Sequence, residues 1–318
     1  MSKILYLVIP CYNEEQVLPL TKKELKEKMS TLIKSDKISK DSKVMFVNDG
    51  SKDKTWDLIE EYHNEDNLFV GIKLSRNKGH QNALLAGLMT AKKYADITIS
   101  MDADLQDDIN VIDKMIEENN KGAEIVYGVR SSRKKDSWFK RFTAESFYKL
   151  MRLMGVEVVF NQADCRLMSK RVLDELEHFD EVNLFLRGIV PLIGFKTSIA
   201  TYERNKRVAG ESKYPLKKMI SFALDGITSF SIKPLHYITY LGVVFILISI
   251  AVIIYALISY FDRDAIQGWT SLLISVWFIG GCILIACGVI GEYVGKIYIE
   301  TKRRPLYFIE KTAGISNK

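Results

Sequence analysis

The chain has 318 residues, and charge is distributed unevenly along it. Residues 1–235 have the composition of a charged soluble domain, whereas residues 237–291 are almost free of charge. The formal net charge is only +6, but basic residues are grouped at 133–152, 204–218 and 296–304. This grouping favours an anionic membrane surface or phosphorylated substrates as partners. Because no aromatic-and-basic nucleic-acid motif is present, we expect no nucleic-acid partner.

The four cysteines indicate neither a disulfide framework nor a metal site. Cys11 and Cys165 lie in the charged part of the chain, and Cys282 and Cys287 lie in the apolar part. None of the spacings is that of a metal-binding pair, and such usage is typical of a reducing compartment. Because the chain enters an apolar strand pattern directly after Lys3, with no signal peptide, we expect the charged domain to be cytoplasmic.

Four apolar segments of strand length alternate with helical patterns in the first hundred residues. The predicted strands cover residues 4–9, 43–47, 69–74 and 97–101, and helices are predicted up to about residue 33, up to residue 62 and over residues 81–94. A polar loop follows the carboxyl end of each strand. This alternation predicts an open α/β sheet whose ligand crevice lies outside those ends.

The fourth predicted strand ends in an acidic cluster of Asp102, Asp104, Asp107 and Asp108. So much negative charge after a buried strand favours a divalent cation, since Mg²⁺ or Mn²⁺ prefers carboxylate and phosphate oxygens. The alternative is an acidic turn in which Asp107 or Asp108 accepts hydrogen bonds from the next helix. Taken alone the cluster is more typical of such a cap, and its position at a strand end favours the metal.

The middle of the chain contains several basic segments. A fifth strand is predicted over residues 125–129, followed by Arg130 in a loop that either contacts phosphate or faces solvent. Residues 138–154 have helical spacing, which suits either a membrane-interface helix or a domain helix with a basic solvent face. A basic loop at residues 202–214 is expected to close over an anionic ligand, and residues 215–234 are predicted to form a helix along the membrane.

Two uncharged segments predict a membrane hairpin. Residues 237–261 and 269–290 are each long enough, at about 1.5 Å per residue, to cross a hydrocarbon core of about 30 Å. Buried helices of a soluble protein are the alternative, but segments this long and this free of charged residues are rare in soluble proteins. Lysines and arginines flank both outer ends, so we expect a multi-pass protein of the inner or plasma membrane with both termini cytoplasmic.

The strand-end motifs together resemble a known enzyme family. They are Val8 to Glu15, Asn48 to Ser51, Arg76 to Gly79 and Asp102 to Asp107, with Phe185 to Gly188 and Arg207 to Tyr214 further on. With the final hairpin they resemble the inverting glycosyltransferases of the GT-A fold, and more narrowly the dolichol-phosphate-mannose-synthase-like enzymes. The bacterial undecaprenyl-phosphate glucosyltransferases are the nearest type, and the resemblance covers essentially the whole chain.

The resemblance implies four regions and a set of site residues. The regions are a Rossmann-like GT-A catalytic domain at residues 1–213, an interfacial segment at 214–235, two transmembrane helices within 236–293 and a basic cytoplasmic tail at 294–318. Residues matching substrate-binding positions are Pro10, Tyr12, Asn13, Glu14, Asp49, Gly50, Ser51, Lys78, Asp102, Ala103, Arg130, Arg204, Ser212 and Lys213. Asp104 and Gln106 match the ligands of Mg²⁺ or Mn²⁺, and the implied catalytic residues are Asp164, Asp104 and Arg207.

Among these residues Asp49 matches an acid on the uracil or ribose side of the nucleotide, and Asp164 matches the acid usually proposed as catalytic base. A phosphate monoester has a second pKa of about 6, so a phosphate acceptor needs a base less than a hydroxyl does. The alternative for Asp164 is to orient Arg166 or a phosphate-binding residue. His80 is interpreted as a structural or loop residue, because no partner cysteine or histidine gives it a metal role.

The implied reaction is inverting transfer of a sugar from a nucleotide sugar, with UDP-glucose preferred, to a polyprenyl phosphate such as undecaprenyl phosphate. A processive polysaccharide synthase is one alternative, but the chain has no Gln-x-x-Arg-Trp motif and only two predicted spans. A non-catalytic membrane scaffold is the other, and the intact acidic cluster argues against it. The sugar, the choice between Mg²⁺ and Mn²⁺ and a possible homo-oligomer are left open.

Overall fold

The computed structural model describes residues 2–130, 162–182, 185–203, 231–261 and 268–315, together with Thr228. The chain divides into two compact units. The first contains the described residues up to Glu203 and again those from Arg303 onward, and the second contains the described residues between them. The division follows the change from charged to apolar sequence, except that the end of the chain returns to the first unit.

An eight-stranded mixed sheet forms the centre of the first unit. In chain order the strands are β1 (Leu5–Cys11), β2 (Lys43–Asn48), β3 (Phe69–Leu74), β4 (Ile97–Ser100), β5 (Ile125–Arg130), β6 (Gln162–Ser169), β7 (Thr197–Tyr202) and β8 (Ile309–Ala313). Their spatial order is β7-β5-β6-β4-β1-β2-β3-β8. Strand β1 is parallel to β2 and β4, and β2 is parallel to β3, so their carboxyl ends share one edge. This confirms the predicted α/β sheet.

Six helices pack with this sheet in the described part of the first unit. They are α1 (Leu18–Lys34), α2 (Thr55–Glu65), α3 (His80–Ala91), α4 (Val111–Asn120), α5 (Lys170–Leu176) and α6 (Leu186–Leu192). Helix α1 shows the principle, because Leu18, Leu25, Met29 and Leu32 recur at helical spacing on one buried face while its lysines and glutamates face outward. The first three helices connect parallel strands, as such crossovers require.

Strand β6 runs against its neighbours and brings a distant segment to the shared edge. It is antiparallel to β4, with Ser100 opposite Arg166, so the amino end of β6 lies beside the carboxyl end of β4. The Ser100 hydroxyl donates a 2.7 Å hydrogen bond to the backbone oxygen of Asp164. Neither β6 nor β7 is recognisable from the sequence pattern, because polar residues interrupt both strands.

Strand β8 comes from the end of the chain, where the sequence analysis predicted only a basic tail. It pairs antiparallel with β3, with Lys73 opposite Lys311. The pairing extends past the strand, since the N–H of Ser75 donates a 3.0 Å hydrogen bond to the carbonyl of Phe308. Ala313 is buried against the core. Residues made after the apolar helices therefore complete the sheet.

We expect a chain truncated after Leu306 to unfold about 5–10 °C lower than the full chain, because it loses the β8 pairing and exposes the edge of β3. Thermal unfolding in detergent measures this. A chain truncated after Gly314 retains all of β8 and is the matched control, with an expected shift near zero. Equal midpoints for the two truncations would show that β8 contributes nothing to stability.

The second unit contains two long helices, α7 (Lys233–Phe261) and α8 (Trp269–Thr301). The hydroxyl of Tyr293 donates a hydrogen bond to the Ser231 carbonyl, and the rings of Phe245 and Phe278 lie 5.6 Å apart. Among the residues that the structure describes, one segment, Phe278–Thr301, is long and apolar enough to cross a membrane. Both predicted spans are therefore helical, while the membrane-crossing hairpin itself stays a prediction.

Candidate active site

The loops after β1 and β2 are joined by reciprocal hydrogen bonds. The N–H of Asn13 donates to the Ser51 hydroxyl over 3.0 Å, and the Asn13 side-chain oxygen accepts from the N–H of Lys52 over 2.9 Å. The N–H of Glu14 donates to the Thr55 hydroxyl over 2.9 Å. Asn13 adopts a positive φ of 55°, a conformation that asparagine tolerates. Part of the predicted nucleotide-binding set therefore also fixes the shape of the two loops.

Two other residues of the predicted first nucleotide-binding loop differ in exposure. Pro10 is half-buried within β1. Tyr12 is 42% exposed, so its ring is accessible to a ligand.

Asp49 connects the second loop to the third. Its carboxylate accepts hydrogen bonds from the N–H groups of Lys78 and Gly79, over 2.7 and 2.9 Å. Burial raises the pKa of Asp49, and these two hydrogen bonds oppose the rise. The structure thus gives Asp49 and the Lys78 backbone a role in holding the third loop. Contact of either residue with a nucleotide stays a prediction.

Gly50 allows the second and third loops to approach closely. It has a φ of +63°, and a Cβ added there would lie 2.5 Å from the carbonyl carbon of Arg76. A side chain is therefore excluded both by the backbone conformation and by the neighbouring loop. The close approach predicted for this glycine exists, and its partner here is protein backbone.

Gly50→Ala is expected to lower the free energy of unfolding by about 2–4 kcal/mol, because the loops must separate to admit the methyl group. Gly194→Ala is the matched control. Gly194 has a similar positive φ, +73°, and the nearest atom to an added Cβ is the Leu192 carbonyl oxygen at 3.9 Å, so only backbone strain of about 1 kcal/mol is expected. Denaturant unfolding of both variants measures the difference, and equal losses would contradict the steric argument.

His80, Asp102 and Asp164 meet at the shared edge of the sheet. The Nε2 atom of His80 lies 3.8 Å from Asp102 Oδ1 and 3.9 Å from Asp164 Oδ2. Within the described ranges these three are the group of His, Cys, Asp or Glu side chains close enough to share a metal ion. They come together because α3 begins, β4 ends and β6 begins at this edge. The spacing of histidines and cysteines does not indicate this position for His80, although His80 follows the end of the third strand.

The carboxylate of Asp164 is bound by Arg187. Arg187 Nε and Nη2 donate to the two Asp164 oxygens, each over 2.9 Å. Burial opposes ionisation of Asp164, but the guanidinium outweighs it and holds the pKa of Asp164 well below its usual range. Partial burial and the neighbouring Asp164 carboxylate raise the pKa of Asp102 to about 6. The edge therefore carries more negative charge than Arg187 alone compensates.

Arg166, the arginine considered as a partner of Asp164, helps to lower the Asp164 pKa through its charge and also contacts other groups. It is buried, donates a 3.3 Å hydrogen bond to the carbonyl of Leu186, and lies over the ring of Tyr127 at 5.3 Å. Burial lowers its pKa to about 10. The acid that orients an arginine thus exists, but the arginine is Arg187, on the short helix α6.

Asp104 and Gln106 flank a tight turn in the acidic loop. Leu105 between them has a positive φ of 54°, which is uncommon for a branched side chain. The N–H of Gln106 donates to Asp104 Oδ1 over 3.2 Å, and Gln106 is only 7% exposed. The backbone oxygen of Ala103 accepts a 2.7 Å hydrogen bond from the Thr21 hydroxyl. The turn therefore brings the Gln106 backbone against the Asp104 carboxylate.

The last two acids of the cluster have different roles. Asp107 is buried, and its Oδ1 accepts from the Tyr202 hydroxyl over 2.5 Å and from Arg130 Nη2 over 3.3 Å. Asp108 instead accepts a 3.0 Å hydrogen bond from the N–H of Asn110, just before α4. The N-cap residue of α4 is Asn110, and no side chain accepts a capping hydrogen bond there, so neither acid caps the helix. Arg130, predicted at a phosphate position, lies in an ion pair with Asp107.

Four predicted site residues, Arg204, Arg207, Ser212 and Lys213, lie outside the described residues, and so does the predicted helix at 138–154.

Comparison with known proteins identifies the family of this chain. Residues 6–177 match the family described as Glycosyl transferase family 2. The chain belongs to this family. It is a glycosyltransferase with a GT-A α/β domain, which confirms the fold and the enzyme class that the motifs imply.

Relatives of this glycosyltransferase cover nearly its whole length. It is 52% identical over 307 residues to the uncharacterized glycosyltransferase YkoT of Bacillus subtilis, covering 96% of this chain and 91% of that protein. It is 41% identical over 310 residues to the prophage bactoprenol glucosyl transferase homolog of Escherichia coli, covering 96% and 98%. The bactoprenol glucosyl transferase of Shigella phage SfII is also 41% identical, over 308 residues, covering 96% and 97%.

A solved structure of a Pyrobaculum calidifontis mannosyltransferase is a distant likeness of this glycosyltransferase. The TM-score is 0.43 and the sequence identity is 13%, with 95% of this chain and 86% of that chain covered. That likeness does not bear on the donor or the metal of the present enzyme.

Proposed function

We propose that this glycosyltransferase transfers glucose from UDP-glucose to undecaprenyl phosphate at the cytoplasmic face of the membrane, inverting the anomeric configuration. The observation that carries the proposal is end-to-end similarity to proteins named bactoprenol glucosyl transferase, in a chain whose acidic loop lies at the ligand edge of its sheet. The enzyme class follows from the family, and the donor and the acceptor are the proposed part.

In the proposed reaction an oxygen of the lipid phosphate attacks the anomeric carbon from the face opposite the leaving group. The bond between that carbon and the β-phosphate oxygen breaks as the new carbon–oxygen bond forms, and UDP departs with the bonding electrons. The site must therefore bring two anionic phosphate groups together and stabilise charge that develops on one of them.

Asp104 and Gln106 are proposed to hold the divalent metal. Carboxylate and amide oxygens suit Mg²⁺ or Mn²⁺, and the two residues flank Leu105 in the loop that begins at Asp102. Burial and the neighbouring Asp164 carboxylate raise the pKa of Asp102, and a nearby cation would favour its ionised form. When bound, such an ion supplies Lewis-acid stabilisation of the departing diphosphate. Asp102 and Ala103 are proposed to support the donor.

The His80, Asp102 and Asp164 group is a less suitable metal site. Its atoms lie close enough together, but the Arg187 guanidinium already binds both oxygens of Asp164. A divalent cation at Asp164 would lie next to that positive charge, which disfavours binding. Asp102 belongs to this group and lies close in sequence to the proposed metal ligands, so variants of His80 and Asp104 distinguish the two sites.

The residues proposed to bind phosphate from the second half of the chain are Arg204, Arg207, Ser212 and Lys213. Arginine suits this role through its planar set of donors. Anchoring to anionic lipid headgroups, about 1 kcal/mol for each basic residue, is the alternative. Measuring liposome binding and turnover separately for Arg207→Ala distinguishes the two, since an anchor variant loses both in proportion.

Helices α7 and α8 are proposed to form the membrane hairpin, with both termini in the cytoplasm. Apolar side chains on α8 support this, because Leu284 and Ile285 are 74% and 69% exposed in the isolated chain and require an apolar environment. The test of this topology introduces a single cysteine at residue 265 or at residue 312. Each cysteine is then labelled from either side of inverted vesicles. The hairpin predicts labelling of the two positions from opposite sides.

A donor screen tests the proposed function. Purified full-length protein is incubated with undecaprenyl phosphate, Mg²⁺ or Mn²⁺, and UDP-glucose, UDP-galactose, UDP-N-acetylglucosamine or GDP-mannose, with mass detection of the lipid product. We expect a glucosyl phospholipid from UDP-glucose. Product with another donor only would overturn the donor assignment, and no product with any donor would favour a non-catalytic role for the chain.

A further inference from the structure

Arg187 is fixed at the acidic edge by the carboxylate of Asp164. Its Nε and Nη2 donate one 2.9 Å hydrogen bond each, to Oδ1 and Oδ2. This two-bond geometry fixes the plane of the guanidinium as well as the position of its charge. The side chains of Arg187 and Asp164 are 24% and 21% exposed, so a ligand can reach the pair.

The backbone that carries Arg187 is fixed as well. The N–H of Leu186 donates a 3.3 Å hydrogen bond to the side-chain oxygen of Gln81 in α3. The carbonyl of Leu186 accepts one of 3.3 Å from the buried Arg166 in β6. The start of helix α6 is therefore bound to α3 and to β6, two elements of the ligand edge. A residue held in this way keeps its orientation before any substrate arrives, which is the condition for pre-organised binding.

The Asp164–Arg187 pair lies next to the acidic loop. His80 Nε2 is 3.9 Å from the Asp164 carboxylate and 3.8 Å from that of Asp102. Asp102 begins the Asp-x-Asp sequence proposed to support the donor. The guanidinium therefore lies at the same edge of the sheet as the loop proposed to bind the donor.

We propose that Arg187 is a phosphate-binding residue of this site and that Asp164 is the positioning residue that holds its guanidinium. The inference rests on the proposed function, which brings a nucleotide diphosphate and a lipid phosphate to this edge. Asp164 occupies the Nε edge of the guanidinium, and phosphate oxygens bind arginine through the same planar set of donors.

This role accounts for Asp164 without a proton transfer. As a general base Asp164 would have to take a proton onto an oxygen that already accepts a hydrogen bond from Arg187. The lipid phosphate does not require a base, because its second pKa of about 6 leaves it largely deprotonated at neutral pH. The observed pair is the geometry expected of an anchored cation.

The test measures binding of two phosphate probes to the full-length protein in detergent by calorimetry. The probes are UDP and undecaprenyl phosphate, and the Michaelis constants for donor and acceptor are measured in parallel. The variants are Arg187→Gln, Arg187→Lys, Asp164→Asn and the double variant Arg187→Gln with Asp164→Asn. The matched control is Arg171→Gln, since Arg171 is 67% exposed and lies 3.9 Å from Glu124, away from the edge.

We expect Arg187→Gln to weaken binding of one probe ten- to a hundredfold and to raise the matching Michaelis constant, with Arg187→Lys weaker in effect. Asp164→Asn should weaken binding of the same probe. The double variant should bind that probe as tightly as Arg187→Gln does, because both substitutions disrupt the same Asp164–Arg187 pair. The affected probe shows whether the donor diphosphate or the lipid phosphate is the ligand of Arg187.

Normal affinity for both probes in Arg187→Gln, matching the control, would overturn the proposal. A second pattern would also overturn it: Asp164→Asn binds both probes normally but loses kcat, while Arg187→Gln keeps its turnover. That pattern would identify Asp164 as a proton acceptor. The double variant leaves neither charge unpaired and replaces Arg187→Gln if the latter fails to fold. A wild-type protein that transfers no sugar would reject the proposed function, while the binding measurements would still decide the role of Arg187.

Discussion

Asp104→Asn is expected to reduce sugar transfer at least about a hundredfold, because it removes one charge from the proposed metal site where charge develops on the diphosphate. The variant keeps the size of the side chain and its carbonyl oxygen, so the turn through Leu105 is preserved. Titration with Mn²⁺, followed by electron paramagnetic resonance, should show weaker binding of the ion in the same variant. Gln106→Ala should weaken Mn²⁺ binding in the same way.

His80→Gln is the matched control for the metal assignment. It changes a side chain that lies between Asp102 and Asp164 but is absent from the proposed metal site, so Mn²⁺ affinity should stay within about twofold of wild type. The opposite pattern, lost Mn²⁺ binding in His80→Gln and normal binding in Asp104→Asn, would move the ion to the His80, Asp102 and Asp164 group.

Asp107→Ala is expected to lower the free energy of unfolding by about 3 kcal/mol. Asp107 is 3% exposed, and its loss leaves the Arg130 guanidinium and the Tyr202 hydroxyl without their common acceptor. Removing one partner of a buried ion pair costs about 3–5 kcal/mol of folding stability. The expected loss is at the low end of that range because the Arg130 side chain is 26% exposed. Denaturant unfolding measures the loss.

Asp108→Ala is the neighbouring control, since that acid accepts hydrogen bonds from Asn110 ahead of α4 and its loss should cost about 1 kcal/mol. Equal losses for the two variants would show that the Asp107 pair is not a stabilising contact. A partial rescue of Asp107→Ala by adding Arg130→Met would confirm that the cost comes from the unpaired guanidinium. No rescue would show that the lost stability comes from the Tyr202 hydroxyl.

The central strands were predictable because they are apolar on both faces. Strands β1 to β5 are runs such as Leu5–Cys11 whose side chains are almost all buried, and this pattern needs no knowledge of the partner strand. Strands β6, β7 and β8 were missed for a physical reason. They carry polar or exposed side chains, and the edge strands β7 and β8 face the core on one side only. Their strand character comes from the neighbour that they pair with.

The site was predictable where it is local in sequence. The acidic cluster and the loops after β1 to β3 follow directly from the strand ends, and the turn at Asp104 and Gln106 lies within one loop. The link from His80 through Asp164 to Arg187 joins segments about a hundred residues apart. Only the antiparallel pairing of β6 brings them together, and no periodicity in the sequence encodes that pairing. The motifs point to Asp164 and carry no sign of its partner Arg187.

The position of β8 in the chain has a consequence for biosynthesis. Strand β3 ends at Leu74, and the strand that covers its edge begins only at Ile309. At an elongation rate of about 5–20 residues per second, the ribosome needs roughly 10–50 s to make the residues between them. During that time the nascent catalytic sheet has an open edge, of the kind that recruits strands from other chains. The sheet can therefore be completed only after α7 and α8 have been synthesised. A chain that stalls within either helix lacks β8 and leaves the edge of β3 unpaired.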